Sequence, residues 1–375
     1  MTPTMPAIEV LQSALPLPLI ARGKVRDVYD AEIIAPADTS APGAAEETAA
    51  AGSILFVASD RISAFDIILA NGIPGKGQLL NRLSAFWFRL LTSEADGVIP
   101  SHVLFTSSSK FPPSLVQRLS QASTMPSKPA LPALEQVRGR SMLVRRARIL
   151  PIEAIVRGYL TGSGWAEYQK HGTVHGLAMP KSMQESQEIP GGPIFTPSTK
   201  AEQGEHDENI HPDKVADIIG PELAQHMAKV AVDLYKTAAE HARTRGIILA
   251  DTKFEFGMVP TASLPAASAL VKRQPTFKNK ETGEEETMIL VDEVLTPDSS
   301  RFWGAAEYQV GKSQASFDKQ FVRDWLKKEG LVGPNKEVQE GKEIRLPEDV
   351  VKATLERYEQ AYDMITGERF VVGED

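Results

Sequence analysis

The stretch "GIILADTKFEFG", residues 246–257, opens as a buried strand and then sets Asp251, Lys253 and Glu255 two residues apart. Successive strand residues point to opposite faces. The three charged residues therefore share one face, and Ala250, Thr252, Phe254 and Phe256 share the other. An apolar back fixes the strand in a core, and the acid–base–acid front is left to be explained. The segment "ILVDEVLTPDSSRFW" at 289–303 is its natural hairpin partner and would bring Asp292 toward Glu255. Two readings fit this front. One is a solvated face with a lysine–carboxylate pair. The other is a Mg²⁺ held against nucleotide phosphates, since Mg²⁺ takes one or two carboxylates and completes its shell with phosphate and water.

Outward from this hairpin the pattern is mixed. "GKVRDVYD" and "SILFVASD" read as strands, and "RSMLVRRARIL" alternates up to Pro151. Leu79, Leu83, Phe86 and Leu90 recur at helical spacing, as do Leu223, Met227, Val230 and Leu234 before a capping Gly246. Phe317, Phe321 and Trp325 mark another helix, and Pro347 opens a last one carrying Val351, Leu355, Tyr358, Tyr362 and Ile365. Strands dominate early and helices late, which predicts an α+β or mixed α/β fold in two lobes. The boundary is expected near residues 147–153. Segments 31–53, 106–136 and 259–287 are rich in Ala, Pro, Ser, Thr and charge, and are expected to be long exposed loops between paired strands.

Composition narrows the function classes. A chain of 375 residues with 42% apolar and 24% charged residues is an ordinary globular protein of one or two sizeable domains. A net charge of -8 argues against a duplex-binding surface. No apolar run reaches the roughly 20 residues of a membrane span, and the start lacks a secretory signal pattern, so a cytoplasmic location is expected. The absence of cysteine excludes disulfides, thiolate zinc sites and thiol nucleophiles. Neither a GxGxxG nor a Walker A sequence occurs, and there is no GxSxG elbow.

Four further segments carry polar groups suited to anions, each also readable as plain surface. Lys24 and Arg26 of "GKVRDVYD" would sit on one strand face beside Gly23, able to cover triphosphate oxygens. In "VRGYLTGSGWAEY", Gly158, Gly162 and Gly164 would let the backbone approach a ligand. Ser163 would cap a helix starting near Trp165, with Arg157 beside it. "FTPSTKAEQGEHDENI" gathers Thr196, Ser198, Thr199, Lys200, His206 and Asp207, and "ASDRISAFD" presents Ser59, Asp60, Arg61, Ser63 and Asp66 after a buried strand. His171 and His175 are spaced by four, but Gly172 and Gly176 argue against a metal-binding helix. The collection suits phosphoryl transfer by positioning and electrostatics.

In this order, "GKVRDVYD", "ASDRISAFD", "GKGQLLNRLSAFWF", "RRARILPIEAIVRGYLTGSGWAEY", "FTPSTKAEQGEHDENI", "LADTKFEFG", "LVDEVLTPDSSRFW" and "SFDKQFVRDWL" closely resemble the SAICAR synthetase family. The resemblance implies a two-lobed α+β fold: an antiparallel β N-terminal lobe over 1–148, a larger α/β C-terminal lobe over 149–375, and ATP in the cleft between them. It implies a ligase of purine biosynthesis that joins CAIR and L-aspartate with ATP, through a CAIR acyl phosphate. Position by position it implies Lys24, Arg26 and Lys200 at the ATP phosphates, and Arg146, Ala147 and Arg148 at the adenine. Glu255 and Asp292 would hold Mg²⁺. Arg157, Ser163, Asp251, Lys253 and Arg301 would bind CAIR, and Ser63 and Asp66 would serve the CAIR or aspartate region. The implied partners are these small molecules, with no nucleic acid, no membrane and a monomer favoured. A kinase-like phosphotransferase is a rival, although it would need a catalytic-loop signature such as HRD. A non-enzymatic nucleotide-binding module is a second, and it leaves "RGYLTGSG" and Arg301 without a role.

Overall fold

The computed structural model describes residues 8–35, 40, 43–65, 67–121, 130–200, 208–317, 319–332 and 343–374. The chain divides into two compact units, Met1–Ala85 with Val103–Arg146 and Phe317–Asp375, and Phe86–His102 with Ala147–Ser316.

The first unit is built on a five-stranded antiparallel sheet in the order Leu19–Arg22, Arg26–Asp30, Ile54–Ala58, Ser141–Val144, Val103–Phe105. Register explains its core. Tyr29 lies opposite Leu55 and Leu55 opposite Leu143, so one apolar row crosses three strands. That row packs with Ala50, Leu115, Leu119, Ala133 and Val137. These last residues correct a sequence expectation. Segments 31–53 and 106–136 do lie between paired strands, but they are not simply exposed loops. They form helices Ala44–Ala50, Pro113–Leu119 and Ala133–Val137, whose few apolar residues are placed to be buried. Segment 259–287 likewise carries the helix Ala269–Lys272 and the strand Thr276–Lys278, with Leu264 and Leu270 buried.

A second core in this unit joins Ile62, Ala64, Leu69 and Ile73 to Val322, Leu326 and Val350 of the helices Gln320–Lys328 and Glu348–Thr366. The C-terminal helices therefore group with the N-terminal sheet rather than with residues 149–316, because their apolar faces meet the segment after Ala58. The first of them buries Val322 and Leu326, while Phe321 and Trp325 are only partly buried beside them. The division at Arg146 and Ala147 falls at the near edge of the expected boundary.

The second unit centres on the long strand Ile247–Pro260. It pairs antiparallel with Ile152–Arg157, Arg148–Ile149, Glu285–Val291 and Ser300–Gly304 in an eight-stranded sheet. Phe254 and Phe256 are fully buried, as the alternation requires. The helix Pro221–Thr244 packs on this strand and buries Leu223, Met227, Val230 and Leu234. It ends as expected, with Gly246 at φ 73° and its N–H on the Arg243 carbonyl.

Candidate active site

The charged front of the central strand is largely withdrawn from solvent, with the Lys253 side chain 35% exposed. Asp251 and Glu255 are buried, and each residue of the row has a partner from a neighbouring strand or loop. Asp251 lies opposite Arg157 on one side and Arg301 on the other. Its Oδ2 accepts from Arg157 Nη1 at 3.0 Å and from Arg301 Nη1 at 2.5 Å. A register shift between Leu249 and Asp251 sets this pairing. Arg157 also donates to Thr196 Oγ1 at 3.1 Å and to Ser163 Oγ at 3.2 Å. Burial lowers the pKa of its guanidinium, and Asp251 works against that shift.

Two arginines share one aspartate in direct contact, an excess of positive charge within the group, with Glu167 acting on Arg157 from outside it. Ser163 sits in the first turn of the helix Gly162–His171, whose N-terminus adds to that field. Gly162, at φ 56°, is a close approach: a Cβ there would lie 2.7 Å from Arg301 Nη2. This corrects one expectation. The helix starts at Gly162 with Thr161 as its N-cap, so Ser163 is not the cap but an acceptor for Arg157. Gly158 has a packing role: its missing Cβ makes room for Tyr235, whose hydroxyl donates to the Leu249 carbonyl at 2.5 Å.

Farther along the row, Lys253 is paired with Glu153 and lies 3.6 Å from Glu255, which in turn is paired with Lys200. Burial disfavours the charge on Lys253, but Glu153 and Glu255, with Asp292 beyond, outweigh it and raise its pKa. Glu255 pairs across the hairpin with Val291, so Asp292 follows one residue on, in the left-handed region at φ 63°. Among the described residues no three His, Cys, Asp or Glu side chains gather to hold a metal. Glu255 in the strand and Asp292 just past the end of its partner strand are two oxygen donors, a set that fits an ion drawing its remaining ligands from phosphate and water.

The other sequence candidates fall as follows. Lys24 is not on a strand face but in the turn before Arg26, closed by the Gly23 N–H on the Arg26 carbonyl at 2.8 Å. Arg26 opens the strand and lies over the Phe56 ring. Ser63 is buried in the short strand Ser63–Ala64, and Asp66, His206 and Asp207 lie outside the described residues. Arg146 pairs with Asp30 at 3.0 Å, Arg148 pairs with Glu286, and Ala147 lies against Gly257, where a Cβ would come within 2.9 Å of its methyl. The structure thus joins Arg157, Ser163, Asp251 and Arg301 in one group, and Lys200, Lys253 and Glu255 in another on the same strand.

Sequence reasoning missed Glu153 and gave Thr196 no partner. Glu153 was detectable as the lone acid in the apolar strand Ile152–Arg157, because a buried carboxylate needs a cation. It pairs with Lys253 and accepts from Ser198 Oγ at 3.3 Å.

The sequence model for SAICAR synthetase matches residues 43–265 and 279–339. The chain belongs to the SAICAR synthetase family. The phosphoribosylaminoimidazole-succinocarboxamide synthase of Saccharomyces cerevisiae is 44% identical over 94% of this chain and 96% of its own length. That of Schizosaccharomyces pombe is 45% identical over 96% of this chain and 99% of its own. A solved SAICAR synthase from Saccharomyces cerevisiae, complexed with SAICAR, covers 95% of this chain and 96% of its own at 42% identity and a TM-score of 0.70. Membership makes the chain an enzyme, a carbon–nitrogen ligase of purine biosynthesis with the family's two-lobed α+β fold. The rival readings as a kinase for hydroxyl acceptors and as a non-catalytic nucleotide module fall with it. Among the described residues no helix is long and apolar enough to cross a membrane.

Proposed function

We propose that the enzyme joins CAIR and L-aspartate at the expense of ATP, releasing SAICAR, ADP and phosphate. A carboxylate is a poor acyl donor, and phosphorylation supplies a leaving group. A CAIR carboxylate oxygen attacks the γ-phosphorus while its bond to ADP breaks. The aspartate amine then forms the C–N bond as phosphate leaves with the C–O electron pair, and an amine proton is released.

The observation that carries this reading is the division of one strand face into two electrostatic halves. Arg157, Arg301 and the helix N-terminus at Ser163, balanced by one Asp251, suit the phosphate of a ribonucleotide. Lys253 stays charged beside Glu153 and lies between the CAIR half and Glu255. At the other end Lys200 is held by Glu255 through a flexible stem, and it exchanges that carboxylate for an ATP phosphate. Lys24 and Arg26 meet the same triphosphate, and the backbone around Arg146, Ala147 and Arg148 receives adenine. Glu255 and Asp292 hold Mg²⁺, which neutralises phosphate charge when bound. Ser63 and Asp66 are assigned to the CAIR or aspartate region. The enzyme works as a cytoplasmic monomer.

ADP release measured with CAIR and L-aspartate together, then with each omitted, tests the assignment. Release that needs CAIR, and SAICAR formation that needs all three substrates, is expected. Steady ATP turnover indifferent to aspartate would sink it.

A further inference from the structure

The segment "ASDRISAFD" is only partly used by this function, yet two of its residues close on the turn that carries Lys24. Arg61 is buried and spreads its guanidinium over four acceptors. Its Nη2 donates to the Gly23 carbonyl at 2.9 Å and to Asp27 Oδ1 at 2.8 Å, its Nε to the Lys24 carbonyl at 3.1 Å, and its Nη1 to the Leu11 carbonyl at 2.5 Å. Ser59 takes the next carbonyl, Val25, with both its N–H at 2.9 Å and its hydroxyl at 2.8 Å. Asp27 is itself anchored, accepting from the Ser13 N–H at 2.9 Å and hydroxyl at 2.6 Å and from Arg22 Nε at 3.2 Å.

Three consecutive carbonyls of the turn, at Gly23, Lys24 and Val25, are thus drawn toward residues 59–61. The electrostatic consequence is direct. A carbonyl oxygen is the negative end of the peptide dipole, and a turn that offers carbonyls to a polyanion repels it. Turning all three inward removes that repulsion, and it also fixes where the Lys24 side chain leaves the backbone. We propose that Arg61, with Ser59, is a positioning residue for ATP that acts through this turn without touching the nucleotide. The inference rests on the reading that Lys24 meets ATP phosphate.

The planar five-donor fork is what the site uses, so Arg61→Lys keeps the charge but cannot serve four acceptors. The expected result is a rise of about tenfold in KM for ATP, with KM for CAIR and for aspartate and the saturated kcat within about twofold. Lys24→Ala should also raise KM for ATP, and the double variant should be no worse than about Lys24→Ala alone, because both changes act through one turn. A purely structural Arg61 would move all three KM values or kcat together, and its effect would multiply with that of Lys24→Ala. Either outcome overturns the proposal, as does an unchanged KM for ATP in Arg61→Lys. An unchanged KM for ATP in Lys24→Ala removes the phosphate reading itself, and the proposal with it. Should Arg61→Lys fail to fold, Ser59→Ala deletes only the hydroxyl bond to Val25. It should raise KM for ATP about twofold to threefold, and no change there would equally overturn the inference.

Discussion

Asp60 and Glu255 are both buried carboxylates facing basic side chains, but their partners differ in kind. Asp60, in the first unit, accepts from Arg140 Nη1 at 3.0 Å and from the N–H groups of Val10 at 2.7 Å and Gly77 at 2.8 Å. Glu255, in the second, is met by Lys200 and Lys253. The side chains of Asp60 and Arg140 are 0% and 3% exposed, whereas those of Lys200 and Lys253 are 40% and 35% exposed. A carboxylate held by backbone amides and a rigid fork has nothing to exchange. One held by point charges on long stems can trade a partner for phosphate or metal at small cost. Similar charge content is thus held fast in one unit and left exchangeable in the other.

The comparison can be broken at either end. Asp60→Ala strands Arg140 and two amides, and should cost on the order of 3–5 kcal/mol of stability in urea unfolding. A loss below about 1 kcal/mol would show that this group is not held fast. Glu255→Ala should cost about 3–4 kcal/mol in the transition state, with a nearly unchanged unfolding midpoint. Near-native turnover in this variant and in Asp292→Ala would remove the metal assignment. Arg301→Lys keeps the charge beside Asp251 but loses the fork, and should raise KM for CAIR about tenfold while KM for ATP holds. Equal rises in both would merge the two halves of the strand.

The smallest expected effect concerns pH. The Lys253 pKa is raised in the folded state, so its contribution is complete below the unfolded value of about 10.4 and is lost only as pH climbs through the higher folded one. The stability deficit of Lys253→Met should therefore be flat from about pH 7 to 10. A deficit that fades within that window would contradict the tight pairing with Glu153.

Much of this was legible in the sequence because strand alternation is a strong local signal. Asp251, Lys253 and Glu255 two apart, with Phe254 and Phe256 behind, marked the face, and segment 289–303 was its partner, split between a strand ending at Val291 and one starting at Ser300. What escaped depends on partners distant in sequence. No local pattern says that Arg157 and Arg301 flank Asp251, or that Gly158 makes room for Tyr235. The Ala- and Pro-rich segments misled because composition averages over length, while a handful of residues such as Phe111, Leu115 and Leu119 suffices to dock a short helix. The grouping of the last helices was hidden for a related reason. Amphipathic spacing says that Val322 and Leu326 need a cover, not which one.

That grouping has a consequence for how the protein is made. Residues of the second unit have all been joined to the chain before Phe317 is added, so the unit that starts later in the chain is the first able to close. Ile62, Ala64, Leu69 and Ile73, synthesised early, wait for Val322, Leu326 and Val350. At roughly 5–20 residues per second that delay runs to tens of seconds. The nascent first unit is where a chaperone would have the longest opportunity to act, and a stop codon late in the reading frame would leave that apolar surface without its cover.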